Sequence, residues 1–499
     1  MVLLKNDGTL PWDAKKLHTV AVLGPTANSE TALIGNYAGT PVAPVTLLAG
    51  LRAKLEPLGV KVLHETAVPL LEGYAKDEAF AKGTLFTSAD LSTPGLRFEV
   101  FGNSSFEGKP LDDKPDQEVG RHWAFYIFAE DVPLRNACLR WSGVILAPED
   151  GEYEFVLSAD SAVKLELGGS VVVDSPTAPA TKKVLHKLKL KKGTPCPVLL
   201  EYRQGKRDEG NVQLRWHLPA RSDAYEAAMA AARQADHIVL TLGITPDLEG
   251  EEMPVKLAGF DGGDRTSLQL PAIQKRLLAD VAALGKPVTV VLTTGSALIL
   301  DTSKANALLC AWYYGQNGGT ALAEILLGET NPSGRLPVTF YASDSDLPPF
   351  TDYSMDGRTY RYFKGKPLYA FGHGLSYTRF GYDGMQLSTP AASAGETVHV
   401  RVTVHNMGTK AGEEVVQLYA SEKGTREGRA LRQLIAFQRV ALEPGERKQI
   451  EIPFSTNRLA HWDEKADGFV VEPTSYEIVA GPSSDVPAQT SVLSIKAKL

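Results

Sequence analysis

The sequence predicts a multidomain protein in which an α/β sandwich domain is interrupted by an inserted β-sandwich and followed by a second β-sandwich. Three observations lead to this prediction. Strands and amphipathic helices alternate in two separate stretches of the chain, which is typical of a parallel α/β sheet. Short β-rich runs broken by Gly, Pro and Asp lie between those two stretches, and similar runs fill the last part of the chain.

The length and charge of the chain limit the protein classes that need to be considered. At 499 residues the chain is too long for one hydrophobic core and should form about three or four domains. Its formal net charge is −7 and no concentrated basic face is evident, which disfavours a nucleic-acid partner. No apolar run approaches the ~18 residues that span a membrane. Acidic and turn residues interrupt the opening "MVLLKNDGTLPW", so it does not resemble a signal peptide.

The three cysteines, Cys138, Cys196 and Cys310, are scattered widely along the chain. They form neither a disulfide framework nor a metal-binding pair, so we interpret them as buried small apolar residues. They leave the cellular compartment open.

Residues 1–90 are predicted to be the first part of the α/β domain. "HTVAVLGPTA" reads as a strand that ends in a Gly-Pro loop, "VTLLAGLRAKLEPLG" as an amphipathic helix, and "VKVLHETA" as the next strand. A strand–helix–strand unit of this length implies a parallel sheet. The opening residues are interpreted as a linker into that sheet.

Residues 91–220 are predicted to be an all-β insert. The runs "LRFEVFG", "HWAFYIFA", "GEYEFVLSA" and "NVQLRWHL" have strand length and composition, and "YEFVLSA" alternates with period two. The α/β pattern then resumes over 221–345, for example as the helix "DAYEAAMAAARQA" followed by the strand "DHIVLTLG". The β-sandwich is therefore an insertion within one α/β domain.

The remaining chain divides into a connector and a final domain. Residues 346–383 are dense in aromatic residues and glycine, as in "GRTYRYFKGKPLYAFGHGLSYTRF", and are expected to pack across a domain surface. Residues 384–499 contain runs such as "ETVHVRVTVHN" and "RKQIEIPF" at strand spacing. They predict a smaller β-sandwich of immunoglobulin or fibronectin type III.

One loop concentrates carboxylates where a ligand site would lie. "GITPDLEGEEMPV", residues 243–255, follows the predicted buried strand "HIVLTL" and contains Glu249, Glu251 and Glu252. Open α/β sheets bind ligands outside the carboxyl ends of their strands, which is where this loop falls. Without further information, a solvated acidic loop is the simpler interpretation.

Five motifs in order resemble the C-terminal half of glycoside hydrolase family 3, which contains β-glucosidases and β-xylosidases. The motifs are "LLKNDGTLPW", "GPTAN", "WYYGQNGGTALAEILLGETNPSGRLPVTF", "GRTYRYF" and "PLYAFGHGLSYTRF". The last domain resembles the fibronectin type III-like module of that family. The stretch "GVILAPEDGEYEFVLSADSAVKLELGG" resembles a lectin-like module first named from a bacterial protective antigen.

The resemblance implies half of a retaining catalytic site. In the family a (β/α)8 barrel of roughly 250 residues precedes the α/β domain and supplies the aspartate nucleophile. This sequence opens with the segment that ordinarily follows that barrel, so the barrel is expected to be missing or on a separate chain. The acid/base glutamate lies on the loop after the strand that "HIVLTL" resembles. Glu251 is the first choice for this role, Glu249 the second and Glu252 the third, and no cofactor or metal is implied.

Other residues receive secondary roles from the resemblance. Asp160, Lys164 and Asp174 of the insert are expected to shape the rim of a sugar site, since Asp160–Ser161 lacks the second aspartate of a calcium pair. Arg358 and Tyr360 belong to a connector that lies near the active-site mouth in the family. Asp264 is interpreted as a helix cap and Arg265 as a bidentate partner of a carboxylate, while Trp312, Tyr313 and Tyr314 are expected to pack where a strand leaves the sheet.

The function that these features favour is hydrolysis of β-linked glucosides or xylosides, with an oligosaccharide or β-glycoside as substrate. The alternative is a non-catalytic carbohydrate-binding or scaffold protein that uses the inserted sandwich. A nucleotide-binding α/β domain is disfavoured because the sequence has no glycine fingerprint. The family favours a periplasmic or secreted location, and the sequence itself leaves both the location and the sugar open.

Overall fold

A computed structural model describes residues 1–124, 137–179, 183–205, 209–219, 221, 223–253, 255–424 and 428–497. The chain forms two compact units. One combines Met1–Tyr74 with Asp223–Leu499, and the other is Ala75–Ser222. The predicted run "HWAFYIFA" lies largely outside the described residues. Among those described, no helix has the length and apolarity required to cross a membrane.

The first 74 residues contribute three strands and a helix to the α/β part. They are β1 (Val2–Asn6), β2 (Thr19–Leu23), α1 (Leu47–Leu55) and β3 (Lys61–Glu65). Helix α1 begins after Thr46, whose hydroxyl accepts a hydrogen bond from the Ala49 amide at 3.2 Å. The interpretation of the opening residues as a linker is wrong. They form strand β1, which is antiparallel to a later strand and buries Val2, Leu3 and Leu4.

Every regular element in the described part of Ala75–Ser222 is a strand. The strands are β4 (Leu85–Phe86), β5 (Leu96–Phe101), β6 (Asp112–Asp116), β7 (Gly120–Ala124), β8 (Cys138–Leu146), β9 (Gly151–Ala159), β10 (Ala162–Leu167), β11 (Ser170–Ser175), β12 (Val184–Leu190), β13 (Pro195–Arg203) and β14 (Glu209–His217). A seven-stranded sheet has the order β11-β10-β13-β8-β5-β6, with β4 paired to β8, and a four-stranded sheet has the order β12-β9-β14-β7. Trp141 and Trp216 belong to a single core formed by both sheets.

The backbone segments near the start and the end of this unit are hydrogen-bonded to each other. Glu78 and Trp216 exchange two backbone hydrogen bonds, at 2.9 and 3.1 Å. This pairing extends the compact unit upstream of the predicted boundary at 91. Nearby, the His217 ring bridges Asp77 and Glu154, with nitrogen–oxygen distances of 2.8 and 2.9 Å.

The second α/β segment supplies the other helices and strands of the α/β part. Its elements are α2 (Ala224–Gln234), β15 (His237–Gly243), β16 (Lys256–Leu257), β17 (Phe260–Asp261), β18 (Asp264–Arg265), α3 (Ala272–Ala282), β19 (Val288–Thr293), β20 (Ala307–Cys310) and α4 (Gly318–Leu327). The short helix α5 (Thr359–Tyr362) lies in the connector. Strands β16, β17 and β18 form a small antiparallel meander directly after the carboxylate loop.

The six-stranded sheet has the order β1-β20-β19-β15-β2-β3. Strands β20, β19, β15, β2 and β3 are parallel, as the strand–helix alternation predicts, and only the edge pair β1–β20 is antiparallel. Each face of the sheet has its own apolar core. Helices α2 and α3 pack on one face through side chains such as Leu277, and α1 and α4 cover the other through side chains such as Leu51 and Leu322. Cys138, Cys196 and Cys310 are buried and unpaired, as predicted.

The C-terminal part is all-β. Its strands are β21 (Phe380–Leu387), β22 (Ala391–Ala392), β23 (Thr397–Asn406), β24 (Gly412–Glu422), β25 (Gln433–Leu442), β26 (Arg447–Ser455), β27 (His461–Asp463), β28 (Gly468–Val470), β29 (Ser475–Gly481) and β30 (Gln489–Ile495). Three of them form the sheet β21-β23-β26, five form β22-β30-β29-β24-β25, and β27–β28 is a hairpin. The two larger sheets share one apolar core.

The connector fastens the C-terminal part to the α/β sheet. The Leu375 amide donates to Leu3 O at 2.8 Å, which brings the connector alongside β1. Arg335 Nη2 lies 2.8 Å from Glu414 Oε1, and both side chains are more than nine-tenths buried. A buried ion pair at this junction ties the two parts together.

Candidate active site

The candidate site lies at the carboxyl edge of the parallel sheet. Strands β2, β15, β19 and β20 are neighbours that end at the same edge. The segments that follow them carry Tyr37, the loop with Glu249 and Glu251, Gly295 and Tyr313, respectively. Gly295 and Tyr313 hydrogen-bond to Glu249, and Tyr37 hydrogen-bonds to Glu251. This is the position at which open α/β sheets bind ligands.

The bend at the end of β15 sets the direction in which the carboxylate loop leaves the sheet. Gly243 has a φ of +127°, and a Cβ at this position would collide with Thr293 O, so only glycine fits. Gln274 of α3 is fully buried beside it. Its side-chain amide donates to Gly243 O at 2.8 Å and Leu70 O at 2.6 Å, and its oxygen accepts from the Gly243 amide at 2.7 Å. These three bonds fix the direction in which the loop leaves the sheet.

The carboxylate loop has its own small apolar core and backbone support. Leu248 is fully buried and packs with Ile244 and Phe260. The Gly250 amide donates to Gly263 O at 3.3 Å, which pairs the loop with the meander that follows it. The loop is therefore an ordered structure, and its glutamates have defined surroundings.

Glu249 is held by donors from two neighbouring strands. The Gly295 amide, after β19, donates to Glu249 Oε1 at 2.9 Å, and the Tyr313 hydroxyl, after β20, donates to the same oxygen. A Cβ at position 295 would lie 2.5 Å from that oxygen, so glycine permits the close approach. Burial raises the pKa of Tyr313, and the adjacent Glu249 carboxylate raises it further, so the phenol remains a donor.

Arg265 fixes the loops beside Glu249 through backbone and hydroxyl oxygens. Its Nη1 donates to Ser296 Oγ at 2.7 Å and to Ala297 O at 2.6 Å, and its Nη2 donates to Ser267 O at 3.0 Å. Burial lowers the pKa of Arg265, and the Glu249 charge opposes that effect.

Two expectations for this segment are wrong. Arg265 makes no bidentate pair with any carboxylate that the structure describes, because its donors are taken up by the oxygens of neighbouring loops. Asp264 does not cap a helix, because it lies exposed in β18 and helix α3 begins only after Pro271.

Glu251 and Glu252 lie on the outer side of the loop and are exposed. The Tyr37 hydroxyl donates to Glu251 Oε2, and that tyrosine is itself 88% exposed. Glu252 has a φ of +49° and makes no side-chain hydrogen bond or ion pair with any residue that the structure describes. Glu251 therefore combines solvent access with one defined polar neighbour.

A cavity of about 580 Å³ adjoins the meander and is shared with the connector. Asp264 and Arg265 line it from one side, and Phe350 and Arg358 from the other. The Arg358 guanidinium donates to the carbonyl oxygens of Ser354, Pro349 and Asp352 at 3.1, 3.1 and 2.6 Å. In this structure Arg358 orders the connector loop and borders the cavity.

Tyr360 lines a different cavity from that of Arg358. Its ring stacks on Phe371 with centroids 4.2 Å apart, and its hydroxyl accepts a hydrogen bond from the Leu434 amide at 3.0 Å. These contacts dock the connector onto the C-terminal part.

Three residues of Ala75–Ser222 that were predicted to border a sugar site have contacts within that unit. Asp160 Oδ1 accepts a hydrogen bond from Tyr202 at 2.7 Å. Lys164 Nζ lies 2.7 Å from Glu166 Oε1, and this hydrogen bond raises the pKa of Lys164. Asp174 on β11 lies directly opposite Lys164 in the sheet.

One side-chain group in the described residues has metal-ligand chemistry. His461, Asp463 and Glu472 place one ligand atom each within 4.8 Å of one another. Glu472 also accepts a hydrogen bond from Arg429 at 2.6 Å, so a cation already occupies one of its oxygens. This group fits an ion pair better than a metal site.

Sequence reasoning found the carboxylate loop and missed the groups that surround it. Tyr37, Gly295 and Tyr313 each lie in a segment that follows a buried parallel strand. That shared position in the sequence could have predicted that they lie near the carboxylate loop. Tyr313 was expected only to pack, whereas it also donates to Glu249.

The structure combines an α/β domain, which carries carboxylates at the carboxyl edge of its sheet, with an all-β domain that follows it. This combination fits the class of multidomain glycoside hydrolases that the motifs resemble. The chain belongs to glycoside hydrolase family 3. The family profile described as "Glycosyl hydrolase family 3 C-terminal domain" matches residues 1–377, and the profile of the "Fibronectin type III-like domain" matches residues 414–484.

Similar proteins are β-xylosidases and β-glucosidases that are longer than this chain. A xylan 1,4-beta-xylosidase of Xylanibacter ruminicola is 34% identical over 97% of the chain, and a beta-glucosidase of Rhizobium radiobacter is 29% identical over 98%. The chain spans 55% and 61% of their respective lengths. The crystal structure of a Kluyveromyces marxianus beta-glucosidase in complex with glucose is similar over the whole chain and over 61% of its own length, with 25% identity and a TM-score of 0.82.

Proposed function

We propose that this chain carries the acid/base half of a retaining β-glycosidase that acts on β-linked glucosides or xylosides. The observation that carries the proposal is Glu251, an accessible carboxylate next to a rigidly held one at the carboxyl edge of the sheet. A retaining mechanism uses one carboxyl group to protonate the leaving oxygen and then to activate water. The named activities of the relatives supply the substrate class.

Glu251 fits this role better than its neighbours. Glu249 Oε1 already accepts two hydrogen bonds, so that oxygen has little capacity to hold a proton for transfer. Glu252 has no described partner to orient its carboxyl group. Glu251 is accessible, and within the described residues its carboxylate accepts a hydrogen bond from the exposed phenol of Tyr37, which a substrate can displace. In this proposal Glu249 and Arg265 position the loop.

The nucleophilic carboxylate is proposed to come from a (β/α)8 barrel outside this sequence, in a segment or a chain that pairs with this one. The greater length of the relatives supports this partner. Phe350, which lines the shared cavity, and Tyr353, three residues further along the connector, are 94% and 95% exposed. Large apolar side chains in that state are typical of a surface that binds another protein part.

The unit Ala75–Ser222 is proposed to be a lectin-like β-sandwich inserted in the α/β domain. Its two antiparallel sheets around one core support this interpretation. Asp160, Lys164 and Asp174 remain candidates for sugar contacts there, and Arg358 and Tyr360 remain candidates in the connector.

The test is an assay of the chain together with the upstream barrel, supplied in one polypeptide or as a second chain. Aryl β-glucosides and β-xylosides are compared for the unchanged protein, Glu251→Gln and the matched variant Glu252→Gln. We expect Glu251→Gln to lower kcat/KM, which reports the bond-cleaving step, by about 10²–10⁴-fold for poor leaving groups. Highly activated leaving groups, which need little protonation, should be affected far less, and Glu252→Gln should leave both substrates unaffected.

The chain alone should show only background hydrolysis. Equal loss with both kinds of leaving group would contradict an acid role for Glu251. No hydrolysis by the assembled protein, combined with retained oligosaccharide binding, would favour the non-catalytic carbohydrate-binding alternative.

A further inference from the structure

A second cavity, of about 620 Å³, lies in the C-terminal part between the connector and the hairpin β27–β28. It is built from four chain segments that the fold brings together: α5, the start of β25, the turn after β26, and β28 with the residue after it. Its lining comprises Tyr360, Arg361, Gln433, Leu434, Asn457, Arg458, Ala460, Phe469 and Val471. Of its lining residues, only Tyr360 was considered above as a candidate for sugar contacts.

The cavity is positively charged. Among the described residues that line it, Arg361 and Arg458 are the charged ones. Arg361 Nη2 donates to Gln433 Oε1 at 3.0 Å, and Arg361 Nε is a buried nitrogen with no hydrogen-bond partner in the described structure. The Arg458 side chain is exposed and makes no ion pair with any described residue, while its backbone oxygen accepts from the Gln433 side chain.

Two carboxylates in this part of the chain are paired with Arg429. Glu422 lines a neighbouring cavity and lies 3.9 Å from Arg429, and Glu472 lies 2.6 Å from the same guanidinium. Two guanidinium groups without a carboxylate between them form a site for an anionic ligand, because planar guanidinium groups bind carboxylates through charge-assisted hydrogen bonds.

Exposed aromatic side chains border the same cavity. Phe469, a lining residue, is 75% exposed, and its cross-strand partner Trp462 is 54% exposed. Their rings meet edge to face with centroids 5.4 Å apart, which holds the phenyl ring in place. An exposed aromatic face beside amide and guanidinium donors suits a ligand with both a flat C–H face and polar groups. A pyranose ring has both features.

We propose that this cavity binds a β-linked oligosaccharide that carries a uronic acid. The carboxylate of the ligand pairs with Arg361 and Arg458, its hydroxyls bond to Asn457 and Gln433, and one sugar ring stacks on Phe469. The sugar part of this ligand rests on the function proposed above, and the carboxylate part rests on the two guanidinium groups.

The test is isothermal titration of the full chain with a xylo-oligosaccharide bearing one glucuronic acid, and with the same oligosaccharide after reduction of its carboxyl group to the alcohol. We expect binding of the acid form and at least about tenfold weaker binding of the reduced form, since a charge-assisted bond contributes about 1.5–3 kcal/mol and 1.4 kcal/mol is tenfold. Arg458→Gln should weaken binding of the acid form similarly. Arg379→Gln is the matched control, because it removes an exposed arginine of the same part that does not line the cavity.

Two further measurements separate the parts of the proposal. Phe469→Ala should weaken the acid form, and inorganic phosphate at equal concentration should not displace it. Equal affinity for the acid and reduced forms, or unchanged binding by Arg458→Gln, would overturn the anionic site. Full displacement by phosphate with no effect of Phe469→Ala would overturn the sugar ligand. Because binding is read without hydrolysis, these results are independent of whether the chain is part of an active glycosidase.

Discussion

Replacing Gly295 with alanine tests whether the Glu249 carboxylate is held as described. The added Cβ would lie 2.5 Å from Glu249 Oε1, whereas ordinary contact begins at 3.4 Å. The oxygen must therefore withdraw by roughly 0.9 Å, which breaks or strains its bonds to the Gly295 amide and the Tyr313 hydroxyl. The φ of Gly295 lies outside the left-handed region, so backbone strain does not contribute.

The magnitude follows from the charge on the acceptor. A hydrogen bond to a charged group contributes about 1.5–3 kcal/mol, and loss of one such bond should destabilise the loops locally by that amount. In hydrogen exchange followed by mass spectrometry, peptides spanning 288–300 should then exchange about 10- to 150-fold faster. Peptides from the C-terminal part should be unchanged and serve as the internal control.

A double-mutant cycle identifies the cause. In a Glu249→Ala background the carboxylate is gone, so Gly295→Ala should accelerate exchange far less than in the unchanged protein. Equal acceleration in both backgrounds would show that the alanine acts through something other than Glu249, and the description of the anchored carboxylate would be refuted.

Three further predictions concern buried groups. Gln274→Leu leaves backbone groups at the end of β15 unpaired and should cost about 1–3 kcal/mol for each, seen as faster exchange in peptides over 237–244; unchanged exchange would contradict this role. Arg335→Leu leaves the buried Glu414 carboxylate without its cationic partner and should destabilise the C-terminal part by about 3–5 kcal/mol in calorimetry. The double variant Arg335→Leu/Glu414→Leu should recover much of that loss. Burial lowers the pKa of His373 below its usual 6.5, so the unfolded chain takes up protons first on acidification. Stability should be level above about pH 7.5 and should fall as pH drops through about 6.5, with a smaller slope in His373→Asn; equal slopes would refute this contribution.

The parallel sheet could be predicted because its signals are local. Each strand is an apolar run followed by a loop and an amphipathic helix, as in "HTVAVLGPTA" and its successors. Strand β1 could not be predicted this way. Its five residues become a strand only by pairing with β20, about 300 positions later in the chain, and nothing local distinguishes them from a linker.

The site shows the same division between local and long-range information. A strand end followed by three glutamates is visible in sequence, and it located the loop. The hydrogen bonds from Gly295 and Tyr313 to Glu249 depend on strands that are neighbours only after folding. The expected cap at Asp264 failed because the meander β16–β18 uses that residue, a structure with no clear sequence signal.

The paired backbone near the two ends of the unit Ala75–Ser222 has a consequence for removing most of it. Because Glu78 and Trp216 are backbone partners, these two positions are separated by about one strand spacing, roughly 5 Å. A short turn can close a gap of that size. A shortened chain that joins these two positions directly would therefore need only a few linking residues.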